Sequence, residues 1–217
     1  MESRDFYRRH LPHVQPLKGT YFVTYNLHGS IPGPVLAQWR DEYEAAKRLI
    51  FKKGTEIPNQ LEILGKRDFI KRDAFFDAYK GGPHYFKTEN LAEVVAESLH
   101  FWDNKKIELY AYCIMSNHVH FVFRSLEEED EGEAPVHLEI LMHSIKRYSA
   151  HKCNKILGIE GQFWRHESYD RFVRNQRELI RILKYVINNP VKAGLCAEQS
   201  DWKWTYIKDE LIDLLAI

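Results

Sequence analysis

Between Ile107 and Arg124 the chain holds two runs of apolar, aromatic and β-branched residues, Ile107–Ile114 and His118–Arg124, parted only by Met115-Ser-Asn117. Runs of that length and composition read as strands, and so short a gap joins them as an antiparallel hairpin. Any fold for this chain is built around that hairpin. Its second strand begins His118-Val-His120. Side chains at i and i+2 share one face of a strand, so both imidazoles point the same way. A rigid pair of imidazoles is half of a divalent-metal site; the bland alternative is two polar residues on the wet face of a half-buried strand.

About 65 residues on, Leu179, Ile180, Leu183, Val186 and Ile187 recur at helical spacing, with Pro190 and Gly194 as punctuation. Tyr185 falls near the end of this helix, and Asn189, four residues later, lies on roughly the same face. A phenol and a carboxamide oxygen so placed can complete a site begun by the histidines. Asn before Pro is also ordinary helix-stop chemistry.

The rest of the chain supplies a frame. Thr20–Leu27 reads as a strand, Val35–Ile50 as a helix, Leu91–Trp102 as a helix capped by Asn90, and Ala134–Asn154 as a helix with Leu138, Leu141, Met142, Ile145 and Tyr148 inward. The stretch from about 51 to 88, broken by glycines and prolines, reads as an insertion with short helical pieces. From about 205 the chain is a C-terminal tail, apolar enough over Leu211–Ile217 to dock on its own core or a partner. The order strand, helix, helix, strand, strand, helix, helix suits one α+β domain over 1–217, with helices on one side of a sheet.

Charge is informative by place. The 31 basic and 31 acidic residues balance, yet Glu127–Glu133 holds six acids while His137–Gly194 holds eleven bases against five acids. A phosphate backbone suits a face of that sign, as does plain solvation. Cys113, Cys153 and Cys196 form no C-x-x-C pair, which argues against a disulfide framework and a thiolate zinc site. The N-terminus lacks an apolar signal core and no run approaches a membrane span, so the expected location is cytoplasmic.

These elements together resemble the REP-associated tyrosine transposases, a branch of the HUH single-tyrosine superfamily related to IS200-like transposases. The resemblance rests on Tyr7-Arg-Arg-His-Leu-Pro-His13, Gly19-Thr-Tyr-Phe-Val-Thr24, Met115-Ser-Asn-His-Val-His120, Phe163-Trp-Arg-His-Glu-Ser-Tyr-Asp170 and Tyr185-Val-Ile-Asn-Asn-Pro-Val-Lys-Ala-Gly194. It implies a ferredoxin-like antiparallel sheet with helices packed on it, the HUH motif on a central strand and the nucleophile on a following helix. By resemblance, His118 and His120 match the HUH histidines, Asn189 the third metal-ligand position and Tyr185 the nucleophile. The implied cofactor is Mg²⁺ or Mn²⁺, and the implied partner is single-stranded DNA carrying a hairpin. Such an enzyme nicks and rejoins DNA through a 5′-phosphotyrosine link, working as a monomer or a homodimer.

Arg8, Arg9, Lys146, Arg147, Arg165 and Arg171 are the candidate backbone contacts, and Trp164 is a candidate stacking platform with Tyr7, Tyr169 and Trp204, each of which reads alternatively as a core or rim residue. Lys52, Lys53, Lys66, Arg67, Lys71 and Arg72 make the insertion a candidate contact for the hairpin. Tyr148 and Tyr169 are rival nucleophiles, and the other nine histidines show no metal spacing. Two other readings stand beside the transposase: a DNA-binding protein that is catalytically inactive or domesticated, and a zinc hydrolase on His118 and His120. The second lacks the nearby Asp or third His that such sites add.

Overall fold

The computed structural model describes residues 6–8, 12–14, 19–126 and 137–215, with side chains from residue 19 on. Arg9 and the acidic run 127–133 lie outside these residues. The described chain runs β1 (Phe6–Arg8), β2 (Pro12–Val14), β3 (Thr20–Asn26), α1 (Gly33–Lys53), α2 (Ile57–Ala78), α3 (Glu89–His100), β4 (Ile107–Ile114), β5 (His118–Ser125), α4 (Leu138–Leu157), β6 (Tyr169–Val173), α5 (Gln176–Lys192), β7 (Thr205–Ile207) and α6 (Ile212–Leu215). It divides into two compact units, His28–Pro83 and the remainder.

In the larger unit, β6, β3, β5, β4 and β7 form one sheet in that order, antiparallel throughout, while β1 and β2 pair separately. Strands β3, β4, β5 and β6 with α3 and α4 follow the β-α-β-β-α-β order of ferredoxin-like folds, which makes the class α+β. The middle strand is β5. Its bounds and those of β4 agree with the hairpin read from the sequence, because two buried strands advertise themselves by composition.

Helices cover both faces of the sheet rather than one. Tyr21, Val23 and Tyr25 of β3 and Val119, Phe121 and Phe123 of β5 share a core with Leu91, Val95 and Leu99 of α3 and Leu141, Met142 and Ile145 of α4. The alternate row, which holds Phe22 and His120, meets α5 through Tyr185. Both rows of β3 and β5 are buried, and burying the second row requires the second helical layer.

Several local expectations give way. The cap of α3 is Thr88 and makes no side-chain hydrogen bond; Asn90 is inside the helix. Tyr148 of α4 is 42% exposed, not inward. Strands β6 and β7 were not foreseen, and β7 turns the expected tail into an edge of the sheet. Leu215 beyond it is fully buried.

The segment expected as short helical pieces contains one continuous 22-residue helix, α2. Pro58 sits in its first turn, where a missing N–H costs nothing, and interior Gly65 costs only about 1 kcal/mol. Gly54 ends α1 at φ 73°, the left-handed region a glycine adopts freely. In this unit Ile31, Trp39 and Phe76 make a small core, with Trp39 and Phe75 edge to face. Three of its candidate phosphate contacts are already paired: Lys66 with Glu62, Lys71 with Glu42 and Arg72 with Asp68.

Strand β7 is held by charge as well as by its ladder. The Glu108 carboxylate of β4 meets Lys208 Nζ at 2.6 Å and Arg124 Nη2 at 2.7 Å. Burial pushes its pKa up, but the Lys208 hydrogen bond and the two cations outweigh burial and hold it below the usual carboxylate range. A folded pKa below the unfolded one stabilises the protein above the unfolded value of about 4.3, and that contribution fades as pH falls through the folded pKa. Replacing Glu108 by Gln is expected to flatten the fall of the thermal midpoint below about pH 5, with a loss of up to about 1 kcal/mol at pH 7 for so exposed a cluster. Equal acid sensitivity in wild type and variant would rule this out.

Candidate active site

Strand β5 alternates two rows. Val119, Phe121 and Phe123 enter the core shared with α3 and α4, and His118, His120 and Val122 face the other way. Opposite that second row stand Asn26, Thr24 and Phe22 on β3, with Cys113 of β4 against His120. His118 and His120 are 1% and 0% exposed, so they are not on a wet face. Buried imidazoles need hydrogen-bond partners.

They have them. His118 Nδ1 lies 2.7 Å from Asn117 Oδ1, and His120 Nδ1 lies 2.7 Å from Thr24 Oγ1. The two Nε2 atoms face each other at 3.0 Å. The loop behind them is tied down: Asn117 O accepts from Leu27 N, Ser116 O accepts from Phe86 N, and Ser116 Oγ lies 2.9 Å from His84 Nδ1.

Helix α5 starts at a cap the sequence reading passed over, although Asn175-x-x-Glu178 is a recognisable start pattern. Asn175 Oδ1 accepts from Glu178 N at 2.9 Å, Glu178 Oε2 accepts from Arg174 N, and the Glu178 carboxylate pairs with Arg171 of β6. This part-buried clamp fixes the entry of α5 onto the sheet. The helix then continues two residues beyond Pro190 to Lys192, with Pro190 near its end, where few hydrogen bonds are lost.

Tyr185 is half-buried, its ring edge to face with His120 at 5.3 Å and with Phe22 at 5.9 Å between centroids. Lys192 Nζ is 5.7 Å from the same ring. Asn189, one turn on, is fully buried, and neither its amide nitrogen nor its oxygen has a hydrogen-bond partner. An orphaned buried amide is costly unless something else uses it.

The facing Nε2 atoms of the buried imidazole pair offer two nitrogen ligands to a divalent ion.

Of the rivals, Tyr148 belongs to α4, which packs against the opposite face of the sheet. Tyr169 is on the histidine side, edge to face with Phe22 at 6.2 Å. Of the two readings of Trp164, stacking platform or core, the structure shows core: it is 5% exposed, packs on Tyr25 and Phe86, and donates Nε1–H to Ser149 Oγ. Its large apolar ring is worth more buried than displayed. Arg171 is engaged by Glu178. Lys146 donates to the carbonyls of Arg165 and His166, Arg165 pairs with Glu167 at 3.6 Å, and Arg147 is exposed. These last three line a cavity of about 530 Å³ floored by Val23, Met142 and Phe163, on the α4 side of the sheet. Arg8 is in β1.

Among the described residues no helix is long and apolar enough to cross a membrane. Residues 83–189 match the family model described as "Transposase IS200 like". A putative REP-associated tyrosine transposase of Haemophilus influenzae (strain ATCC 51907 / DSM 11121 / KW20 / Rd) is 23% identical over 147 residues, 64% of this chain and 82% of that protein. The REP-associated tyrosine transposase of Escherichia coli (strain K12) is 24% identical over 102 residues, 47% of this chain and 55% of its own length. A solved REP-associated tyrosine transposase bound to a REP hairpin aligns over 94% of this chain and 82% of its own, at 17% identity and a TM-score of 0.48. Residues 83–189 are thus similar to the IS200-like transposase family, and the chain as a whole is similar to REP-associated tyrosine transposases.

Proposed function

We propose that this chain is a metal-dependent single-stranded DNA endonuclease and strand transferase acting at hairpin-forming repeats. The observation that carries the reading is the contact of the Tyr185 ring with His120, one of two buried imidazoles whose Nε2 atoms converge. The names of the relatives, REP-associated transposases, supply the substrate class.

His118 Nε2, His120 Nε2 and Asn189 Oδ1 are the proposed ligands. A divalent ion there would draw charge from a scissile phosphate oxygen and ease attack at phosphorus. The phenol oxygen of Tyr185 forms the new bond to phosphorus, its proton passing to solvent, while the bond to the 3′ oxygen breaks and that oxygen takes up a proton. The products are a 5′-phosphotyrosine link and a free 3′-hydroxyl. Because the link conserves the ester, a second 3′-hydroxyl can reverse the step without a nucleotide cofactor.

Only about one tyrosine in a thousand is ionised at pH 7, which is why the step needs assistance and exact placement of the ring. Phe22 and His120 both pack edge to face against the ring. Lys146, Arg147 and Arg165, with Arg8 and Arg9, are the proposed phosphate contacts.

The test is incubation of the protein with end-labelled single-stranded hairpin DNA and Mn²⁺, followed by denaturing electrophoresis. A labelled covalent adduct, lost when Mn²⁺ is chelated, is the expected result. Binding without an adduct would indicate an inactive DNA-binding relative, and zinc-dependent ester hydrolysis would indicate a hydrolase.

A further inference from the structure

The two histidines are held in different ways. Asn117 Oδ1 can only accept, so His118 must present Nδ1–H to it, and the neutral ring then has a lone pair on Nε2. His120 Nε2 lies 3.0 Å from that lone pair. With both rings neutral and no ion present, the proton between them sits on His120 Nε2. Its Nδ1 must then accept, and the partner there is the Thr24 hydroxyl. With an ion, both Nε2 lone pairs are needed. His120 must then carry its proton on Nδ1 and donate it to Thr24 Oγ1.

A hydroxyl serves both states because it can donate or accept. A carbonyl or an N–H in the same place would lock His120 into one of them. Thr24 lies directly opposite His120 in the β3–β5 register, which sets the distance, and the bond from Leu27 N to Asn117 O fixes the other partner.

We infer that Thr24 and Asn117 are positioning residues for the ion: Asn117 locks His118 with its Nε2 lone pair facing the site, and Thr24 lets His120 exchange tautomers as the ion arrives. The inference rests on the metal-site reading above. The exchange shifts one proton between the two nitrogens of one ring, through solvent, and changes no net charge. Groups holding the far nitrogen of a metal-bound histidine contribute roughly 10–100-fold to metal affinity.

The experiment measures Mn²⁺ affinity of the DNA-free full chain by titration calorimetry, alongside thermal midpoints and ¹⁵N imidazole spectra. Thr24→Val keeps the shape and removes the hydroxyl; it is expected to lose about 10–100-fold in affinity, while Thr24→Ser stays near wild type. Asn117→Ala is expected to fall similarly. In the metal-free wild type, His118 should show the Nδ1–H tautomer and His120 the Nε2–H tautomer. A Thr24→Val protein with a lowered midpoint but wild-type Mn²⁺ affinity, beside a His120→Ala protein that has lost binding, would overturn this inference and leave the metal site standing. Reversed tautomers would also overturn it. A wild type that binds no Mn²⁺ would overturn the metal site itself, and this inference with it.

Discussion

Tyr185→Phe is expected to abolish the covalent DNA adduct while leaving the fold and the metal affinity intact. The substitution removes one oxygen and keeps the ring, so the edge-to-face contacts with Phe22 and His120 survive. The ring is half-buried in the middle of α5, and phenylalanine there creates no cavity. What disappears is the only atom in the proposal able to form the bond to phosphorus. Loss of a nucleophile costs about a thousandfold or more in rate, and water attacking in its place would leave no adduct at all. Tyr169→Phe is the matched control, since that ring also packs edge to face on Phe22. An adduct retained in Tyr185→Phe but lost in Tyr169→Phe would assign the chemistry to β6 and end the proposal for α5.

What could be read from the letters depended on how locally each feature is encoded. The β4–β5 hairpin was legible because both strands are buried and adjacent in sequence, and α5 because its apolar residues repeat at helical spacing. Strands β6 and β7 were not. Tyr169-Asp-Arg-Phe-Val173 carries two charges, Thr205–Ile207 is only three residues long, and both pair on one side only, so neither composition nor length marks them. Trp164 stayed between two readings because an aromatic beside Arg165 and His166 suits a nucleic-acid surface as well as a core with charged neighbours. The partner that decides it, Ser149, is on another element. Thr24 went unnoticed for the same reason: 96 residues separate it from His120, and only the strand register brings them together. The polar second layer of the site is therefore the part least visible in sequence, since it is made by pairings across the sheet.

Asn189→Leu is expected to make the metal-free protein more stable and the enzyme worse. In most buried sites, loss of an amide breaks hydrogen bonds and costs stability. Here both polar atoms of the amide are buried and without hydrogen-bond partners, so the folded chain bears their desolvation with nothing in return. Leucine has the same branching and no polar atom; the gain should be on the order of 1–3 kcal/mol, less any strain from its slightly larger volume. Mn²⁺ reverses the order. An ion that binds only the folded chain adds about 2.7 kcal/mol at a hundred times its dissociation constant, and a variant lacking one of the three proposed ligands receives less of that. Thermal midpoints measured against Mn²⁺ concentration should therefore cross, the variant melting higher without the ion and gaining less as it is added. Adduct formation should fall with the affinity. A variant that melts lower than wild type in the absence of metal would mean that the amide already has a partner within the fold, and a variant with an unchanged Mn²⁺ response would remove Asn189 from the ligand set.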